Sequence, residues 1–269
     1  MLYRERASVV ATLVVLGLIL AAFLQIPTRT YNLTVLGSPL SINLTQTALM
    51  AILLVGITCA GTDAIVRSHP AIQFVETRYS FVTWTLPALT VLLATVLVPQ
   101  LPTRLYQIGG LVVTGLILIL VISAEYYTVD RHDSQYLTAR LGLNAWAYLV
   151  ALILFVLIYS AKSRSLVSAT AVTLVGTLLA LELLRGAGRG FGRTALYAAI
   201  AGLCTGEIIW AMNYWRISGV TGGLILLLGF YVATGVVNQQ LQGRINRRVL
   251  IEYGAVALIG LLILLRFGP

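Results

Sequence analysis

The chain alternates long apolar runs with short polar breaks. Nine runs of about 20 residues are each long enough to cross the hydrocarbon core of a bilayer as a helix. Apolar residues follow one another without the alternation of a barrel strand, so helices are favoured over a β-barrel. The pattern predicts an all-α integral membrane protein, a bundle of about nine transmembrane helices. The runs lie near residues 8–26, 45–62, 80–99, 106–124, 142–160, 165–184, 193–213, 219–238 and 249–266.

A different pattern separates the first two runs. Apolar and polar residues alternate over residues 31–35 and again over 40–44, and Leu36-Gly37-Ser38-Pro39 lies between them. Alternation on both sides of glycine and proline predicts a short β-hairpin. We expect it outside the cytoplasm, between helices 1 and 2. A structured connector is favoured over a lid or a docking edge.

Composition agrees with a membrane protein. Of the 269 residues, 59% are hydrophobic and 10% are charged, whereas soluble domains carry roughly 25% charged residues. In lipid, helices satisfy their own backbone hydrogen bonds. Because the nine runs use most of the chain, the loops are short. The sequence therefore predicts one polytopic transmembrane domain over residues 1–269, with no separate soluble domain.

The formal net charge of +9 is better explained by the orientation of the protein in the membrane than by nucleic-acid binding. The basic residues are spread over short loops, and 12 of the 18 fall on the side that holds the N-terminus. Cytoplasmic loops are enriched in Lys and Arg. This bias predicts a multi-pass protein of the cell (plasma, or inner) membrane with its N-terminus cytoplasmic and its C-terminus outside. The expected partners are the bilayer and a membrane protein, and no nucleic acid is expected.

Several cofactor classes are disfavoured. His69 and His132 both lie in loops, whereas b-type haem in a bundle takes histidines from the helices. Lys162 is also in a loop, so a retinal Schiff base within a helix is not predicted. Cys59 and Cys204 lie inside apolar runs and fit buried hydrophobes better than metal ligands. The sequence holds none of the motifs of P-loop, G-x-S-x-G or H-E-x-x-H enzymes. No cofactor and no metal are predicted.

The loop after the fourth run holds the weak candidates for catalysis. Glu125, Asp130, His132 and Asp133 combine carboxylates with an imidazole, and such a set suits acid–base chemistry or a divalent ion holding a phosphate head group. Asp63 and His69 lie on the same predicted side and are possible further members of this candidate site. A solvated loop whose charges pair with one another is favoured over these roles, and a partner-docking loop is the third interpretation.

Arginines near the cytoplasmic helix ends have two predicted roles. Glu182 precedes Arg185 by three residues and Arg248 precedes Glu252 by four, so each acid shares a helix face with a base and an ion pair is expected. A glycine-rich segment continues the basic series at every fourth position. Anionic lipid head groups are the favoured ligands of this segment, and a functional anion or phosphate site is the alternative: Arg185, Arg189 and Arg193.

Glu207 is the one acid deep inside an apolar run. It lies about 21 Å along the seventh helix from Arg193, past the midplane toward the outer leaflet. A carboxyl group that faces lipid costs at least about 2–3 kcal/mol, so the prediction is that Glu207 faces the bundle. Residues at helical spacing from it share its face: Cys204, Trp210, Ala211 and Tyr214.

Two interpretations of Glu207 follow. In the first, a neutral carboxyl group clamps two helices by hydrogen bonding to a group such as the Thr221 hydroxyl. In the second, Glu207 couples protons or binds substrate in a cavity that Trp210 and Tyr214 line. A separate ridge of small residues in the same helix predicts a close helix contact: Ala198, Gly202 and Gly206.

Three function classes remain open. The favoured class is a non-enzymatic membrane component, a scaffold or an accessory subunit of a larger complex, because no catalytic motif is present and the loops are short. The first alternative is a small-solute or proton-coupled transporter that uses Glu207. The second is a membrane enzyme that acts on a lipid or isoprenoid substrate at the cytoplasmic face.

Overall fold

A computed structural model describes residues 2–24, 27–35, 38–71, 77–187, 190–215 and 217–267. Within these ranges it describes no side chains for Leu2, Arg29, Phe267 or residues 31–35, 38–44 and 77–80.

Nine α-helices dominate the described chain. Two of them are extended by 3₁₀ turns, at Thr77–Trp84, Val98–Gln100 and Arg185–Ala187. Nine helical segments of the described residues are long and apolar enough to cross a membrane. The predicted number of long apolar helices is therefore confirmed, and their length and composition indicate a multi-pass membrane protein. The helices are α1 Leu2–Phe23, α2 Gln46–Arg67, α3 Thr85–Leu97, α4 Arg104–Tyr127, α5 Tyr136–Ser160, α6 Ser165–Leu184, α7 Phe191–Met212, α8 Gly219–Leu241 and α9 Arg247–Phe267.

Two short strands lie between α1 and α2. Strand β1, Arg29–Val35, pairs antiparallel with β2, Ser38–Leu44, over their full lengths. Thr45 follows directly and caps α2, because its side chain accepts a hydrogen bond from the backbone of Ala48. The side of the membrane on which this pair lies stays a prediction, and the turn residues 36 and 37 lie outside the described part of the chain.

The chain divides into two compact units, Met1–Arg140 and Leu141–Pro269, and the boundary falls within α5. That both units belong to one transmembrane domain stays a prediction.

Unit 1 is built around α1, which packs on α2 and α4, while α2 also packs on α3. Small residues allow the close contacts: Gly61 of α2 lies against the Val10 side chain, and Gly17 of α1 lies against Leu54. The core contains side chains that are fully buried, among them Val14, Leu54, Leu118 and Ile122.

Unit 2 contains the closest pair of helices, α6 and α7, and α7 in turn packs on α8 and α8 on α9. Gly202 of α7 lies against the backbone of α6: a Cβ atom there would stand 2.6 Å from the Thr173 carbonyl oxygen. Ala198, Gly202 and Gly206 are all buried. The predicted close helix contact through this ridge is confirmed, with α6 as its partner.

Candidate functional site

Helix α7 has one buried and one exposed face. The small-residue ridge and Ile209 are buried in unit 2, whereas a second row of residues at helical spacing is exposed along the whole length of the helix. We call this row, together with Tyr214 two residues beyond the end of the helix, the exposed face of α7: Leu196, Ile200, Leu203, Glu207, Trp210 and Tyr214.

Glu207 lies in the middle of this exposed face. The prediction that it faces the interior of the bundle is wrong. The prediction that it shares a face with Cys204, Trp210, Ala211 and Tyr214 is confirmed, because all four are exposed as well. Among the six residues of this face Glu207 is the one acid, and Trp210 and Tyr214 add an indole N–H and a phenol hydroxyl group to the aliphatic side chains.

Helix geometry explains the correction. Successive residues of an α-helix are rotated by about 100°. Glu207 is five residues after Gly202 and nine after Ala198, so it lies about 140° and about 180° around the helix from these two ridge residues. Once the ridge packs on α6, Glu207 must point away from that contact. The sequence contained this signal, because a glutamate opposite a small-residue ridge cannot share its helix contact.

The predicted hydroxyl partner of Glu207 is engaged elsewhere. Thr221 is buried, and its hydroxyl group lies 2.9 Å from that of Ser218, the residue that caps α8. Within the part of the chain that the structure describes, the Glu207 carboxyl group makes no hydrogen bond or ion pair. It can therefore accept hydrogen bonds or pair with a cation brought by another molecule.

Asp63 and His69, considered as further members of a cytoplasmic catalytic site, make contacts that stabilise unit 1. Asp63 lies 2.6 Å from the Arg67 guanidinium group and accepts a hydrogen bond from the Trp84 indole at 3.2 Å. His69 accepts a hydrogen bond from the backbone of Ala71 at 3.1 Å. These contacts tie the end of α2 to the residues that lead into α3.

Aromatic side chains hold the first turn of α1 against the last turn of α4. The rings of Tyr3 and Tyr126 are stacked with 4.3 Å between their centres, and the Tyr3 hydroxyl group hydrogen-bonds that of Tyr127. The rings of His69 and Tyr126 pack edge to face, with 4.5 Å between their centres. Arg4 donates a hydrogen bond to the Tyr3 hydroxyl. This tyrosine cluster closes one end of unit 1.

The four candidates, Glu125 in the last turn of α4 and three residues of the loop that follows, do not form one cluster. Glu125 is fully buried, while His132 is exposed. Asp130 accepts a hydrogen bond from the backbone of His132 at 2.9 Å, and Asp133 accepts one from that of Gln135 at 2.7 Å. Both aspartates thus stabilise turns. Among the described residues, no three His, Cys, Asp or Glu side chains are arranged to hold a metal ion.

Both predicted ion pairs are confirmed. Arg185 lies 3.3 Å from Glu182, and Arg248 lies 3.0 Å from Glu252. The first pair is buried and the second is exposed. Since Arg185 is engaged with Glu182, it is less available to a lipid head group than the sequence suggested. Arg193 is exposed in the first turn of α7, and Arg189 lies outside the described residues. Head-group binding stays a prediction.

The complete burial of Glu125 and Glu182 was missed by reasoning that placed both near membrane surfaces. A signal for Glu125 lies in α4: Thr114, Leu118, Val121 and Ile122 precede it at helical spacing on the buried face. A hydrogen bond of 2.8 Å from Asn213 to the Ser168 hydroxyl was also missed. It joins the end of α7 to the beginning of α6, and no feature of the sequence pairs these two residues.

Comparison with known proteins identifies a family for this chain. No curated protein and no solved structure matches the chain. The sequence model of one family matches residues 26–267, which include helices α2–α9 and both strands. Because the match covers most of the 269 residues, the chain belongs to the family described as protein of unknown function DUF5656.

Proposed function

We propose that this protein is a non-enzymatic component of the cell membrane, a scaffold or accessory subunit that binds another membrane protein through the exposed face of α7. The observation that carries the proposal is the position of Glu207, exposed on an apolar helix face.

The free-energy cost of placing a carboxyl group in lipid favours a protein partner for Glu207. Glu207 lies five residues before Met212, the last residue of α7, and so about 7.5 Å from that end along the helix axis. The hydrocarbon chains of lipid offer no hydrogen-bond donor. Insertion of an acid at the helix centre costs about 2.5–3.5 kcal/mol, and a position nearer the end retains part of that cost. A partner that supplies a donor removes the penalty and gains specificity.

The aromatic residues of the same face support a protein contact. Trp210 and Tyr214 follow Glu207 at helical spacing and are exposed. Tryptophan and tyrosine dominate the energetics of many protein interfaces, although they also belong to the aromatic belt of membrane proteins. The combination of two aromatics and one acid is what distinguishes this face from the middle of α4, where the aliphatic residues Val112, Leu116 and Leu120 are exposed.

The transporter and enzyme classes lack a comparable observation. Transport through Glu207 would need the carboxyl group in a cavity among the helices, yet the group is exposed. Metal-dependent chemistry after α4 would need the acids to converge, and among the described side chains none do so.

Site-specific photo-crosslinking in native membranes tests the proposal. A benzophenone amino acid replaces Leu203, four residues before Glu207 on the exposed face of α7. The control is the same replacement at Leu174 on α6, because the two leucines are similarly exposed, 55% and 65%. We expect a discrete heterologous adduct from position 203 that position 174 does not give.

Two results would contradict the proposal. Equal adducts from both positions would mean unspecific contact with abundant neighbours. Crosslinking from position 203 to lipid alone would mean that this face of α7 has no protein partner.

A further inference from the structure

We infer that the partner is a transmembrane helix of another protein, and that it presents a Lys or Arg side chain to Glu207 within the outer half of the bilayer. This inference rests on the proposed function and names the chemistry of the partner.

Charge complementarity selects a basic residue. The Glu207 carboxyl group accepts hydrogen bonds, but the side chains of its helical neighbours Leu203 and Ala211 contain no hydrogen-bond donor. An ammonium or guanidinium group donates several hydrogen bonds and neutralises a carboxylate at the same time. Within a membrane, acidic and basic residues pair with one another for the same reason. A helix with a base at this depth is therefore the complement of the exposed face of α7.

The shape of the face allows close approach to the carboxyl group. Cys204 precedes Glu207 by three residues and Ala211 follows it by four, and both are small and exposed. Small residues let a second helix come near. The larger Leu203 and Trp210 flank this position, so the partner base would enter between bulky apolar groups that shield the pair from water.

A second copy of the same chain is a poorer partner. A two-fold dimer brings the same patch of both subunits together. Contact through the exposed face of α7 would then bring Glu207 of one copy near Glu207 of the other, and two carboxylates repel. The charge argument therefore favours a hetero-complex over a homodimer.

The test uses designed peptides as probes. A helix of Leu and Ala, about 21 residues long, carries one Lys at its fifth position. A matched peptide carries Met there. The chain of 269 residues receives a donor dye at Ser163→Cys, in the exposed loop before α6, with Cys59 and Cys204 changed to Ser. Energy transfer to acceptor-labelled peptide is measured in phosphatidylcholine vesicles.

We expect the Lys peptide to bind the wild-type surface about three- to tenfold more tightly than the Met peptide, the range that corresponds to one polar contact between transmembrane helices. Glu207→Gln should remove most of this preference. Glu207→Lys should abolish it and favour a peptide that carries Glu at its fifth position.

Equal binding of the Lys and Met peptides would overturn the inference, as would a preference that survives in Glu207→Gln. So would energy transfer between donor-labelled and acceptor-labelled copies of the chain, mixed without peptide, if it rises with concentration and Glu207→Gln abolishes it, because this result would identify a homodimer. These failures differ from failure of the proposed function. Photo-crosslinking at Leu203 detects any protein partner, whatever its charge, so a heterologous adduct without a Lys preference would refute the basic partner alone.

Discussion

Gly202 of α7 lies so close to Thr173 of α6 that a Cβ atom would stand 2.6 Å from the Thr173 carbonyl oxygen. Real Cβ atoms do not approach oxygen so closely, and the neighbour is backbone, which cannot rotate away. The contact therefore needs glycine. It also fixes the rotation of α7 about its axis, and this rotation turns Glu207 away from α6.

Replacing Gly202 by alanine should force α6 and α7 apart. Overpacking of this kind costs about 1–3 kcal/mol, so the free energy of unfolding should fall by that amount. The control is Gly254→Ala in α9, because no atom lies within 4 Å of a Cβ placed there. Alanine at an open helical position should leave the stability unchanged or raise it by up to about 1 kcal/mol. Steric trapping in bicelles measures both. Equal effects of the two substitutions would show that Gly202 has no special contact.

Arg185→Ala should destabilise unit 2 far more than Arg248→Ala. The Arg185 and Glu182 side chains are 13% and 1% exposed, while those of Arg248 and Glu252 are 86% and 60% exposed. Loss of a charged hydrogen-bond partner in a buried pair costs about 1.5–3 kcal/mol, and an exposed pair contributes about 0–1 kcal/mol. Unfolding free energies of the two variants provide the comparison. A larger loss of unfolding free energy for Arg248→Ala than for Arg185→Ala would contradict the burial of the Arg185–Glu182 pair.

The tyrosine cluster should stabilise unit 1 mainly by stacking. Tyr3→Phe keeps the ring on Tyr126 and loses the hydroxyl contact with Tyr127, at a cost of about 0.5–1.5 kcal/mol. Tyr3→Ala loses both and should cost more. Tyr106→Ala is the matched control, since Tyr106 is 60% exposed at the start of α4, and little change is expected. If Tyr3→Ala were as stable as the wild type, the cluster would have no structural role.

The helices could be predicted because their cause is local. A run of about 20 apolar residues satisfies its backbone internally and its side chains in lipid, whatever its neighbours do. The same locality explains the ion pairs Glu182–Arg185 and Arg248–Glu252, since residues three or four apart share a helix face in any α-helix.

Which face of each helix packs against its neighbours could not be predicted from the local sequence. It depends on which helices become neighbours, and residues far apart in the chain decide this. Glu207 shows the consequence. Its helical neighbours were assigned correctly, but the assumption that a carboxyl group must turn inward outweighed the glycine ridge on the other side of α7. Glu125 shows the reverse case, a residue at a helix end that packing buries completely.

The orientation of Glu207 can be measured through the native cysteine one turn before it. Cys204 is exposed on the same side of α7, so a nitroxide spin label there, in a Cys59→Ser background, reports the surroundings of this face in vesicles that contain the purified chain alone. Collision with oxygen, which partitions into lipid, is compared with collision with a water-soluble nickel chelate. We predict high accessibility to oxygen and low accessibility to the chelate. A label that collides mainly with the chelate, or with neither reagent, would place Glu207 in an aqueous cavity or in the interior and would contradict an exposed interaction face.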